Sequence, residues 1–179
     1  MKPDEQVQQA AQALRDGRVV ALPTETVYGL ATNALNDHAV ARIFEIKQRP
    51  SFDPLIVHLP DAESAYTLAA SVPDALRRLG NALWPGPLSL VLPKHPDISE
   101  LVTSGLPTVA LRVPAHPLCR EILIRAGVPV AAPSANPFGR TSPTSAKHVR
   151  QMLGDNVDLI IDGGPCTTGV ESTIVSFPE

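Results

Sequence analysis

Aromatic side chains are scarce in this sequence: one Trp, two Tyr and four Phe among 179 residues. Sequence-tolerant RNA binding rests on stacking platforms, so this scarcity argues against a surface built for that purpose. Excess positive charge is missing too. The formal net charge is −3, whereas a protein that grips nucleic acid by bulk attraction is basic. Anionic ligands would need a local basic cluster. Cysteine is limited to Cys119 and Cys166, far apart and in no metal-ligand spacing. That fits a reducing cytoplasm better than a disulfide scaffold. No apolar run approaches the roughly 18 residues of a membrane span. The opening MKPDEQVQQAAQ is polar and amphipathic, not an apolar signal segment. A cytoplasmic protein without membrane contact is the expectation. Familiar motifs are missing as well. There is no G-x-x-x-x-G-K-[ST], no G-x-G-x-x-G after a strand and no G-x-S-x-G elbow. The five histidines are scattered, and none forms a metal pair.

Proline is plentiful. Its 19 copies gather in loops that also carry polar residues, and such loops are stiff. Apolar residues make up 44% and charged ones 18%, an ordinary globular balance. The length suits one domain, residues 1–179, with a full hydrophobic core. Periodicity predicts a first helix capped by Asp4, with Val7, Ala10, Ala11 and Leu14 inward and Gly17 at its end. RVVAL (18–22) reads as a buried strand and PTETVYG as the loop after it. Asn36 caps a second helix that stops near Arg49, because Pro50 follows. Further strands are expected at 55–59, 88–92, 108–113, 128–132, 157–162 and 172–177. Helices fall on DAESAYTLAA, PDALRRLGNALW, HPLCREILIRAG and a segment capped by Thr144 that runs to Leu153. This alternation predicts an α/β sheet layered with helices.

Four constellations carry candidate chemistry. In KQRPSFDPLIVHL (47–59), Lys47 and Arg49 sit at a helix end before a proline turn. A capped helix explains them as well as a phosphate clamp does. His58 shares a strand face with Ile56, and alone is more often structural than a ligand. In TVALRV, Arg112 faces the same side as Ala110. It is either solvated or in a pocket with an anion, most simply a carboxylate. APSANPFGRTSPTS (132–145) sets Ser134, Asn136, Arg140, Thr141, Ser142, Thr144 and Ser145 on a stiff loop after a strand. That chemistry exceeds what a turn and a cap require and suits phosphate and sugar oxygens. DGGPCTTGVESTIV (162–175) brings Gly163, Gly164 and Gly169, then Glu171, Ser172 and Thr173. The glycines permit close backbone approach. All four lie at or beside strand ends, where open α/β sheets bind ligands.

Taken in order, PTETVYGL, KQRP…PLIVH, WPGPLSLVL, TVALRVPAHP, APSANPFGRTSPT and DGGPCTTGVESTIV resemble the YrdC-like family, the threonylcarbamoyl-AMP synthases. The resemblance runs from about residue 14 to the last residue. It implies a twisted, largely open mixed sheet around a concave, positively charged cavity. It also implies a reaction: L-threonine, bicarbonate and ATP give threonylcarbamoyl-adenylate and pyrophosphate. A separate threonylcarbamoyl transferase complex then modifies adenosine 37 of tRNA, so any contact of this chain with tRNA is expected to be weak. The amine would capture CO2 or bicarbonate, and the carbamate oxygen would attack the α-phosphate. Such chemistry asks for positioning and charge neutralisation more than for a nucleophilic side chain. Mg²⁺ would ride on the ATP phosphates, with no dedicated protein metal site.

By motif, the resemblance assigns threonine to Thr26, His58, Arg112, the backbone near Ala132, and Ser172. It assigns ATP to Arg49, Asp53, Thr108, Ser134 and Ser142, with Lys47, Asn136 and Arg140 as helpers at the phosphates. Lys47 and Arg49 are the expected catalytic cations, and Tyr28 a pocket wall. Glu25 is unassigned: it either orients Lys47 or Arg49 or faces water. Two departures stand out. The family often has Asn where this chain has Asp53, whose charge would repel polyphosphate unless it bonds the ribose or a metal ion. The sequence also ends at Glu179, before a further nucleotide-contacting arginine of longer members, which implies weaker ATP binding. Two rival readings remain: a non-catalytic RNA-binding module using Lys47, Arg49, Arg112 and Arg140, and a related carbamoyl-adenylate-forming domain.

Overall fold

A computed structural model describes residues 3–177 of the chain. Helix α1 (Pro3–Arg15) buries Val7, Ala10, Ala11 and Leu14, the face that the spacing predicts. It begins one residue before Asp4, so Asp4 sits in the first turn instead of capping it. Gly17 ends the helix at φ 71°, a left-handed conformation that costs glycine little. β1 (Val20–Leu22) follows. After the loop 23–28 comes a strand that the sequence reading missed, β2 (Gly29–Asn33). Its residues Gly-Leu-Ala-Thr-Asn carry little β-propensity, and tertiary packing decides the matter.

Asn36 caps α2 (Asp37–Lys47) by accepting from the Ala39 N–H at 3.1 Å. β3 (Ile56–His58), α3 (Ala62–Tyr66), α4 (Asp74–Leu83) and β4 (Leu88–Pro93) come next. A short helix that the periodicity does not reveal, α5 (Glu100–Thr103), precedes β5 (Thr108–Arg112). α6 (Pro117–Ala126) leads to β6 (Val130–Ala131). The cap of α7 (Ala146–Leu153) is Ser145, one residue after the predicted Thr144. The Ser145 hydroxyl accepts from the His148 N–H. β7 (Leu159–Ile160) and β8 (Thr173–Ser176) are the last strands among the described residues.

The eight strands form one mixed sheet in the order β7-β1-β2-β6-β3-β5-β4-β8. β1–β7, β3–β5 and β4–β8 run parallel, and the other neighbours antiparallel. Alternation along the strands splits the core in two. Val20, Leu22 and Val130 join α1 and α6 in one apolar cluster. Ala21, Ala131, Val57, Leu111 and Leu90 face the larger cluster, with Val40, Ile43 and Val149 of α2 and α7. Pairing register then fixes what the α1/α6 face shows beyond those helices. Val91, Ala110 and Ile56 align across β4, β5 and β3, and so do Ser89, Arg112 and His58. Residues in register share a face. Both rows lie on the side of Val130, which pairs with His58.

Candidate functional site

The row Val91–Ala110–Ile56 floors a cavity of about 400 Å³. Its walls carry Arg49, Asp53, Thr108, Ser134, Glu171 and Ser172. The neighbouring row opens into a narrow recess of about 30 Å³, bounded by His58, Arg112, Ala132 and Thr24. Ile56, Pro133, Ser134 and Glu171 border both spaces, so the recess is the blind end of the cavity. Charged lining residues are of both signs: Arg49 and Arg112 against Asp53 and Glu171.

Arg112 is 3% exposed, so it needs a partner. It finds one 87 residues away: Nη2 donates to Glu25 Oε1 at 2.8 Å. The same nitrogen donates to Thr26 Oγ1 at 2.9 Å. The other Glu25 oxygen accepts from the Ala115 N–H at 3.0 Å. Glu25 therefore faces neither water nor Lys47 and Arg49; it holds Arg112. The guanidinium Nε is buried and has no partner. Thr24 passes its own proton to Val27 O at 2.6 Å. Its oxygen can then receive the Thr26 hydroxyl at 2.9 Å. Thr26 is thus fully buried behind Arg112 and steadies it, bordering neither space.

His58 is pushed down to about 3 by burial and by the Arg112 cation, so it is neutral near pH 7. Its Nδ1 lies 3.3 Å from Ile56 O. A carbonyl only accepts, so Nδ1 carries the proton and Nε2 keeps a lone pair.

Lys47 ends α2 but does not point at solvent. It is 1% exposed, and its ammonium donates to Ser134 O and, at 2.6 Å, to Asn136 O. Burial, then the Arg49 charge, lowers it from 10.5 to about 8. Asn136 is buried alongside and donates its amide to Pro137 O and Arg140 O, at 3.1 and 2.5 Å. These two side chains stiffen the 132–145 loop and present Ser134 to the cavity. Neither lines the cavity itself, and Arg140 is exposed away from it.

Arg49 does line it. Its Nε donates to Asp53 O at 3.0 Å and Nη2 to Pro54 O at 2.9 Å. Asp53 Oδ1 lies 2.9 Å from the same Nη2. The carboxylate is thus matched within its own turn. Burial lowers Arg49, while Asp53 and Glu171 raise it.

Residues 161–172 cross above the PTETVYGL loop. Thr168 and Gly169 N–H donate to Glu25 O and Thr26 O at 2.8 and 3.0 Å. Tyr28 donates to Gly164 O at 2.7 Å and accepts from the Gly163 N–H at 3.2 Å. Tyr28 therefore anchors this crossing from a fully buried position. A Cβ at Gly163 would lie 2.6 Å from Pro23 Cγ, so the close approach requires glycine. At the end of the crossing Ser172 Oγ meets Ser89 Oγ at 2.8 Å. Glu171 accepts from the Ser142 hydroxyl at 2.6 Å. The sequence reading named Glu171 without giving it a role, yet it borders both spaces. Its placement beside Ser172 was the available signal.

Residues 12–179 match the sequence model of the Sua5–YciO–YrdC family, described as telomere recombination. The chain is 50% identical over 177 residues to the threonylcarbamoyl-AMP synthase of Bacillus subtilis, covering 98% of this chain and 51% of the relative. It is 48% identical over 170 residues to that of Pyrococcus abyssi, covering 95% and 50%. A crystal structure of P. abyssi Sua5 complexed with L-threonine superposes with a TM-score of 0.96 at 45% identity, over 100% of this chain and 52% of that one. The chain thus spans about half the length of the curated relatives it matches.

Proposed function

Because the chain belongs to the Sua5–YciO–YrdC family, we propose that it makes threonylcarbamoyl-AMP from L-threonine, bicarbonate and ATP with release of pyrophosphate. This is the first step toward N6-threonylcarbamoyladenosine in tRNA, completed by a downstream transferase complex in the cytoplasm. One observation carries the reading. A blind recess with a buried arginine and a neutral histidine opens into a cavity within the roughly 300–1,000 Å³ usual for small ligands.

Arg112 offers its planar fork to the threonine carboxylate, with charge shared between ligand and Glu25. His58 Nε2 accepts from a ligand hydroxyl or amine. The Ala132 backbone and Ser172 bound the remaining sides, with Thr26 supporting Arg112. ATP occupies the larger space against Arg49, Thr108, Ser134 and the Asp53 turn, while Ser142 lines neither space and acts through its bond to Glu171. Arg49 neutralises phosphate charge as pyrophosphate leaves, and Lys47 and Asn136 act by holding the Ser134 loop in place. Arg140 reaches the phosphates only if its exposed side chain turns inward. Among the described residues no group of three or more His, Cys, Asp or Glu could hold a metal ion. Mg²⁺ in this reading is carried by the ATP phosphates, which would supply its oxygen ligands. Incubation with ATP, threonine and bicarbonate should yield a threonine-dependent adenylate by mass spectrometry together with pyrophosphate. Absence of both would overturn the proposal.

A further inference from the structure

We infer that Glu171 holds the ammonium group of the amino-acid substrate and takes its proton as the carbamate forms. The inference rests on the function proposed above. The recess is narrow, about 30 Å³ against about 400 Å³ for the cavity, so it receives only one end of an amino acid. Arg112 stands at that blind end and selects the carboxylate. The rest of the ligand must lie where the recess meets the cavity. Two polar side chains border both spaces there, Ser134 and Glu171, and Glu171 is the acid.

The other carboxylates nearby are committed. Glu25 gives both oxygens to Arg112 and the Ala115 N–H. Asp53 pairs with Arg49. Glu171 spends one oxygen on a neutral hydroxyl, that of Ser142. A guanidinium at one end and a carboxylate at the other complement a zwitterion. Arg49 lines the same cavity, and the Glu171 carboxylate raises it electrostatically.

The chemistry balances. The ammonium gives one proton to the Glu171 carboxylate and becomes a free amine. Its lone pair attacks the carbon of bicarbonate, and the C–N bond forms. The C–OH bond breaks, and that hydroxide leaves as water with a second N–H proton. The product is the carbamate, whose oxygen is then free to attack the α-phosphate.

The test is calorimetry with L-threonine and with 2,3-dihydroxybutanoate, in which a hydroxyl replaces the ammonium. The wild-type protein should prefer threonine by about tenfold or more, and Glu171→Gln should bring the two affinities within about threefold. Adenylate formation by Glu171→Gln should fall by about 100-fold, a usual loss for a general base. The glutamine oxygen still accepts the Ser142 hydroxyl, so a purely structural latch would leave the preference intact. Glu171 is exposed, so the variant folds. If wild type forms adenylate and Glu171→Gln keeps both preference and turnover, the inference fails alone. If wild type binds no threonine and forms no adenylate, the proposed function fails and the inference falls with it.

Discussion

Replacing Lys47 by Met should change how stability responds to pH. The ammonium is 1% exposed and gives up its proton at about 8 in the fold, against 10.5 ordinarily. Between those values the unfolded chain binds more protons than the native one at this site. Stability contributed here must therefore rise with pH across that window, as the cost of burying a charge is relieved. At about 1.4 kcal/mol per pKa unit, the gap amounts to roughly 3 kcal/mol. Other groups titrate nearby: burial raises Tyr28 and Tyr66, and Cys166 is pushed up to about 11. Their effect on stability has the opposite sign, so the wild-type curve alone is ambiguous. The difference between wild type and Lys47→Met removes them. With a urea slope of roughly 2 kcal/mol/M, the midpoint difference should move by about 1.5 M in favour of wild type between about pH 7 and about pH 10.5. A difference that stays flat would refute the claim that the native ammonium is desolvated. Lys47→Met should also loosen the Ser134 loop, read as faster amide exchange at residues 134–140.

Arg112→Ala should abolish calorimetric threonine binding. It should also cost about 3–5 kcal/mol of stability, because Glu25 is left buried without its cation; unchanged affinity would refute the assignment. Asp53→Asn removes a negative charge 2.9 Å from Arg49 and should tighten ATP binding several-fold, more at low salt. The pair is part-exposed, so stability should change by less than about 1 kcal/mol. The His58 ring should show no titration by NMR between about pH 5 and about pH 8, because its folded value is about 3. The same depression means its contribution to stability declines as pH falls from 6.5 toward 3, since the unfolded chain protonates first.

The sequence was most legible where a local rule acts alone. Asn36 as a cap, the inward face of α1, and the sides of β3 and β5 follow from spacing within a few residues. β2 was hidden because its partners β1 and β6 supply what its own residues do not. Within the candidate site, residue type pointed to loops that border the cavity but not to the contact each side chain makes. Lys47 and Asn136 look like phosphate ligands, yet both are buried on loop carbonyls. Glu25 was opaque because Arg112, its partner, is distant in sequence and adjacent only once β5 and the 23–28 loop meet. Asp53 looked like a liability until Arg49 stood beside it.

The crossing of residues 161–172 over the PTETVYGL loop has a consequence for how the molecule comes into being. Tyr28 meets Gly164, 136 positions later, and the backbone of Thr168 and Gly169 closes on Glu25 and Thr26. Such contacts carry a high loop-closure entropy, and topologies that depend on them fold slowly. A nascent chain that has emerged only as far as α7 has both strand rows of the floor but lacks Glu171 and Ser172. Its cavity lacks the wall that those two residues supply. The cavity is therefore walled only once this crossing has closed over the 23–28 loop, and a ligand that binds there would act as a clamp on that late contact.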